Sequence, residues 1–238
     1  MEQQVHFHGS NRLLALLAPA VYEQLQSSLE LVSLTNKQVL QEPHAPMSHI
    51  YFPLTAVCSI LVSAGNEDTI EVATTGKEGM VGLPVFLGSD TMPTTTLVQI
   101  PGEALRMPSD TFRQAFKEME PLRELLQHYI QAMFMLVAQS VVCNREHNIT
   151  QRCARWLLMT HDRVEGHQFP LTQQFLAQML GVRRAGVNEV AVRLQQEGLI
   201  DYHRGVMTIL NRAGLEERSR ICYFTVRDEF ERSLGVPS

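Results

Sequence analysis

The chain has 238 residues and a mass of 26.9 kDa, room for one large domain or two small ones. Hydrophobic residues make up 45% and charged residues 19%, with a mean hydropathy of −0.07, so the chain can bury a core and is not disordered by composition. The net charge of −5 argues against a nonspecific coat on nucleic acid.

The longest uninterrupted apolar run, Ala132 to Ala138, has seven residues. A spanning helix needs roughly 20, so no membrane crossing is expected. The start, Met1 to His6, lacks the charged-then-apolar plan of a signal peptide, and a cytoplasmic protein is expected. His6 and His8 read as a disordered tail. Cys58, Cys143, Cys153 and Cys222 lie at least ten positions apart. Without a CxxC pair, a disulfide scaffold, a zinc ribbon and a ferredoxin-like cluster are poorly supported. The cysteines read as reduced, buried small hydrophobes, and no metal site is expected. Charge is unevenly spread: residues 1–144 carry 7 Lys+Arg and 14 Asp+Glu, whereas residues 145–238 carry 13 Arg, no Lys and 11 Asp+Glu. An acidic first part and an arginine-rich second part point to two domains with different partners.

Residues 11–30 have helical periodicity through Leu13, Leu16, Leu17, Val21, Leu25 and Leu29, broken at Pro19. Residues 31–107 change to short β-branched runs such as 49–52, 57–62, 69–73 and 94–100. Pro43, Pro46, Pro53, the turn Ala64-Gly65-Asn66 and Gly76, Gly79, Gly82 and Gly88 punctuate them. This pattern predicts a β-roll or barrel with an interior able to hold one small ligand. Ser109 to Phe112 can cap a short helix, and a long helix follows from Pro121 to Asn144. Leu122, Leu126, Tyr129, Met133, Leu136, Ser140 and Cys143 form a 4-3 heptad seam, and Leu122, Leu126, Tyr129, Met133 and Leu136 are assigned to dimerisation. A second stripe, Ile130, Phe134, Val137 and Val141, needs its own partner, so one face is expected on the roll and the other on a second copy. Residues 144–148 read as a hinge, and a helix follows from Ile149 to Val164.

Residues 171–200 carry the most informative pattern. Thr172 caps a helix from Gln173 to Leu180, Ala177 allows a close crossing, Gly181 fits a turn needing positive φ, and Val182 plugs the core. A second helix then turns Val187, Val190 and Leu194 inward, which is the helix-turn-helix spacing. Its outer face offers Arg183, Arg184, Asn188, Glu189 and Arg193, side chains suited to base edges and phosphates. Residues 199–210 predict a hairpin turning at Arg204-Gly205, a wing with Arg204 at its tip. The DNA-binding set is therefore Thr172, Gln173, Arg183, Arg184, Asn188, Glu189, Arg193 and Arg204. Ala213 to Leu234 reads as one added helix, with Leu215, Cys222, Val226, Phe230 and Leu234 on one face, packed on the winged domain or offered to a partner.

Over residues 12–212 this order resembles the Crp/Fnr family of bacterial transcription regulators. The resemblance implies an α+β chain: a cyclic-nucleotide-binding-like jelly roll over 1–120, a dimerisation helix and hinge over 121–147, and a winged helix-turn-helix with a C-terminal helix over 148–238. It also implies a homodimer on palindromic double-stranded DNA, RNA polymerase as a partner, and no enzymatic activity. By position, Arg184 falls on the family's main guanine-reading arginine. Ala185 and Gly186 stand where the catabolite-activator branch has glutamate and threonine, and Glu189 replaces an arginine, so a different target sequence is expected.

The cyclic-nucleotide cassette is degenerate. Within Gly79 to Gly88, Leu83 stands at the ribose-binding glutamate, and Pro93 to Thr96 contains no arginine for the cyclic phosphate. A buried phosphate without a cation is costly, so cyclic AMP is not the expected effector. Gly79, Gly82, Leu83, Thr94 and Thr95 are the candidate ligand residues. An iron–sulfur cluster is not expected, since no cysteine precedes Cys58, and haem is not expected from His44, His49 and Cys58 alone. Two alternatives within the regulator class are action mainly through protein contacts and a roll that binds another ligand, such as a cyclic dinucleotide. A cupin-like enzyme would need a histidine and carboxylate metal set, and residues 51–107 contain no histidine.

Overall fold

The computed structural model describes residues 9–65, 68–89 and 91–235; His6, His8 and Asn66 lie outside them. Helix α1 (Arg12–Ala15) is capped by Asn11, and α2 (Pro19–Gln26) begins at the proline expected to break this stretch. The roll follows as β1 (Glu30–Leu34), β2 (Val39–Gln41), β3 (His49–Pro53), β4 (Val57–Gly65), β5 (Asp68–Thr75), α3 (Leu83–Phe86), β6 (Thr94–Ile100) and β7 (Gly102–Pro108). One antiparallel sheet has the order β1-β7-β3 and the other β2-β6-β4-β5. The inner faces of the sheets supply Ile50, Phe52, Val57, Val98, Leu105 and Met107 to the core, each buried. That alternation lets the β-branched runs form two sheets around a shared apolar core.

Helix α4 (Ser109–Glu118) leads into α5 (Glu120–Glu146), which has Pro121 in its first turn, where a missing N–H is harmless. Although no apolar run in it exceeds seven residues, α5 matches a membrane span in length and composition. Its leucine seam, however, is inside the protein.

The dimerisation assignment is corrected here. Leu122, Leu126, Tyr129, Met133 and Leu136 are at most 3% exposed within a single chain, covered by the roll and by the C-terminal helix. A seam already closed by its own chain cannot meet a second one. The stripe left outside contains Phe134 at 71% and Val141 at 66%, with Val137 and Val142 also exposed.

Helix α6 (Ile149–His161) opens with a capping box, Asn148 accepting from Gln151 N–H and Gln151 accepting from Asn148 N–H. Then come β8 (Gln168–Pro170), α7 (Gln173–Leu180), α8 (Arg184–Gln196), β9 (Ile200–His203) and β10 (Val206–Ile209), the strands ordered β8-β10-β9. Strand β8 was not anticipated from the sequence; three residues are too few to show a period.

The tail is two helices rather than one: α9 (Arg212–Ser219) on α6, and α10 (Ile221–Leu234) along α5. They break at Arg220, whose φ of 59° and ψ of −161° interrupt the helix. Cys222, Val226, Phe230 and Leu234 are buried as the spacing predicts, but α10 packs chiefly on the long helix rather than on the wing.

The roll and the winged region share one core. Gln99 Nε2 donates to Thr160 Oγ1 at 3.1 Å, Trp156 Nε1 to Glu71 Oε1 at 2.8 Å, and Gln178 Nε2 to Thr69 Oγ1 at 2.6 Å.

Candidate nucleic-acid interface

The turn between α7 and α8 is built locally. Thr172 Oγ1 accepts from Phe175 N–H at 3.1 Å and starts α7. Gly181 ends it in the left-handed region, φ 60° and ψ 42°, where a Cβ would be strained. Val182 N–H then returns to Ala177 O at 3.0 Å. Ala177, Val187, Val190 and Leu194 are buried between the helices, and Val182 packs against them half-buried. These contacts fix the angle at which α8 stands out.

On that helix Arg184, Asn188 and Glu189 are exposed, with Arg183 just before it as the N-cap residue. Half-buried Gln173 reaches across from α7: its Nε2 donates to Asn188 Oδ1 at 3.0 Å, and its Oε1 accepts from Arg184 Nε at 3.3 Å. Gln173 thus links Arg184 and Asn188, side chains of the kinds suited to purine edges, into one hydrogen-bonded array. Thr172 acts in this structure as a cap, its hydroxyl oxygen committed to the backbone. Arg193 lies apart, facing a polar cleft with Thr150, Glu217, Arg218 and Arg220.

Beside α8, β9 and β10 turn at Arg204 and Gly205, φ 49° and 79°, the pair of positive values that a two-residue primed turn requires. Arg204 is exposed at the tip. Two anchors of the wing escaped the sequence reading. Tyr202 donates its hydroxyl to Leu171 O at 2.9 Å, and Gln195 Oε1 accepts from Tyr202 N–H at 2.6 Å. Burial pushes the Tyr202 phenol up, so it stays a donor.

The candidate ligand residues of the roll serve its own packing. Gly79 lies against Tyr129, where a Cβ would fall 2.3 Å from the hydroxyl oxygen. That hydroxyl accepts from Met80 N–H and donates to Met80 O, both at 3.1 Å. Gly82, with φ 124°, abuts Ile50, where a Cβ would fall 2.5 Å from Cγ2. Leu83 opens α3 half-buried against the core, Thr94 is buried in β6, and Thr95 is half-buried beside it.

Residues 151–218 match the Crp-like helix-turn-helix domain family. Curated proteins yield no match in sequence. Among solved structures, the chain is similar to a protein of Eubacterium rectale assigned to the crp/fnr family of transcriptional regulators, with a TM-score of 0.67, 16% identity, and coverage of 92% of this chain and 100% of that one. FixK2 from Bradyrhizobium japonicum gives a TM-score of 0.67 at 14% identity, covering 79% of this chain and 95% of that one. The c-di-GMP-responsive global regulator CLP of Xanthomonas campestris gives 0.63 at 16% identity, covering 81% and 99%. The winged region, with its capped α7, left-handed Gly181 and outward α8, is therefore a Crp-like helix-turn-helix domain, and the chain has the fold of the Crp/Fnr transcription regulators.

Proposed function

We propose that this protein is a homodimeric, sequence-specific DNA-binding transcription regulator acting in the cytoplasm, with no catalytic step of its own. The observation that carries the reading is the Arg184–Gln173–Asn188 array, exposed on a helix-turn-helix beside an arginine-tipped wing. Arg184 and Asn188 read base edges, assisted by Glu189, while Arg183 and Arg204 neutralise phosphates. Two copies joined through Phe134, Val137 and Val141 present two α8 helices to successive major grooves, roughly 34 Å apart.

Cyclic AMP does not act as the effector in this reading. Leu83 stands in the ribose position, and the arginine buried beside the cassette, Arg163, is already paired with Glu78. Micromolar cyclic AMP binding by calorimetry would overturn this part.

The test of the whole is selection of bound sequences from random duplex DNA by the full chain at fixed salt without added ligand. Enrichment of a two-fold symmetric motif is expected. Equal retention of all sequences, unchanged by candidate nucleotides, would favour a regulator working through protein contacts. A shallow salt dependence of whatever binding remained would accompany that result.

A further inference from the structure

The last turn of α5 and the first turn of α10 bring together three residues that lie far apart in the chain. Cys143, His147 and Cys222 each offer a ligand atom, and these atoms lie within 4.8 Å of one another. Both thiols are buried. His147, the first residue past α5, is half-buried, and its Nδ1 is shut off from solvent without a hydrogen-bond partner among the described residues. A buried ring nitrogen without a partner costs free energy unless something satisfies it.

Polar and cationic groups surround the two sulfurs and the imidazole. Gln139 Nε2 lies 2.8 Å from Cys222 Sγ, donating to the sulfur in the way outer groups tune metal thiolates. Burial pushes the Cys143 thiol up, and the guanidiniums of Arg155 and Arg152 oppose that only in part, so it is the metal ion that must draw off the proton. His147 N–H bonds to Cys143 O at 3.1 Å, which keeps the two ligands one helical turn apart.

We propose that Cys143, His147 and Cys222 form a binding site for a thiophilic d10 metal ion, Zn2+ or Cu(I). Sulfur and imidazole ligands select these ions, and oxygen-preferring Mg2+ and Ca2+ do not fit the set. Ligand atoms around such an ion sit about 3.5–4 Å apart, so closure from the present spacing requires only side-chain rotation. Binding releases the two thiol protons. With Zn2+ the two thiolates balance the charge; with Cu(I) the centre carries one negative charge beside Arg155 and Arg152. Ligation staples α10 to the end of α5 and holds the residue that begins the connection to α6. The winged region leaves the long helix through that connection, so the site controls the stiffness of the joint.

The experiment uses the full chain, reduced and stripped with chelator. In one arm Co2+ is added and then displaced by Zn2+, with thiolate-to-cobalt charge-transfer absorption as the readout. In the other, Cu(I) is titrated against a chromogenic chelator. One equivalent per chain is expected in at least one arm, and the arm showing tighter binding identifies the ion. Affinity should fall by more than about 100-fold, beyond the loss typical of an outer-shell change, in Cys143→Ser, Cys222→Ser and His147→Gln. Cys58→Ala, buried in the roll, should keep it. Circular dichroism checks folding, and His147→Gln, at a partly exposed position, carries the test where a cysteine variant fails to fold. Two outcomes would overturn the proposal: no stoichiometric binding of either ion by the folded protein, or binding that the three ligand variants leave intact.

Discussion

Arg163, two residues past α6, places Nε 2.8 Å from Oε1 of Glu78 in the loop after β5, with both side chains out of water, 0% and 2% exposed. Arg163 Nη1 also donates to Met159 O at 2.5 Å, and Gly76 N–H donates to the same Glu78 oxygen at 3.1 Å. The arginine stem runs against Gly76, where a Cβ would lie 2.8 Å from its Cγ. One buried ion pair therefore joins the end of the winged region's first helix to the loop that follows β5 and leads into α3.

Removing one member strands the other charge in the core. Arg163→Met should destabilise the protein by about 3–5 kcal/mol, as expected for a broken buried pair. The double variant Arg163→Met/Glu78→Leu should recover most of that loss, because no unpaired charge remains. Urea melts of the two variants measure the difference. Equal losses would show that packing against Gly76, not the charge pair, carries the contact.

At the reading head, Arg184→Ala should lose about 1–3 kcal/mol of discrimination at one base position and leave the others readable. Gln173→Ala should weaken binding with a smaller change in preference, since it releases Arg184 and Asn188 without deleting a reading group. Arg204→Ala should act uniformly across sequences and reduce the salt slope by about 1. Binding curves on a selected site and its single-base variants, at several salt concentrations, separate the three. An unchanged base preference in Arg184→Ala would remove it from the readout.

Phe134→Glu places a charge on the apolar stripe that α5 leaves in water. Sedimentation should show the wild type as a dimer and the variant as a folded monomer with weakened affinity for a palindrome. A variant that stays dimeric would put the interface elsewhere.

His161 supplies a pH dependence. Its Nδ1 lies 2.9 Å from Arg212 Nη1 and its Nε2 lies 3.1 Å from His167 Nδ1. A guanidinium can only donate, so Nδ1 accepts and Nε2 carries the proton, which is the neutral ring. Burial, and next the Arg212 charge, hold its pKa below 6.5, against a smaller opposing effect of Asp162. The unfolded chain therefore takes up this proton first as pH falls. The stability contributed by neutral His161 is complete above about pH 6.5 and is lost below it. His161→Gln keeps an acceptor for Arg212 but cannot titrate. Between pH 7.5 and 5.5 its melting temperature should fall less than that of the wild type. Equal falls would exclude His161 as the titrating group.

The parts of this protein legible in its sequence are those decided within a few residues. Thr172 as a cap, Gly181 at a left-handed turn and the Arg204-Gly205 hairpin follow from local backbone preferences, so the helix-turn-helix and wing could be read directly. The strands of the roll announce themselves through short β-branched runs between turns. Both apolar stripes of α5 were visible too, but which one faces inward was not. That choice rests on β5 and on α10, which begins 75 residues after α5 ends. Periodicity shows that a face is apolar and carries no record of what covers it. The same holds for Cys143 and Cys222, which as isolated cysteines resemble ordinary core residues. Only the packing of α10 along α5, driven by burial of Val226, Phe230 and Leu234, brings their sulfurs to His147.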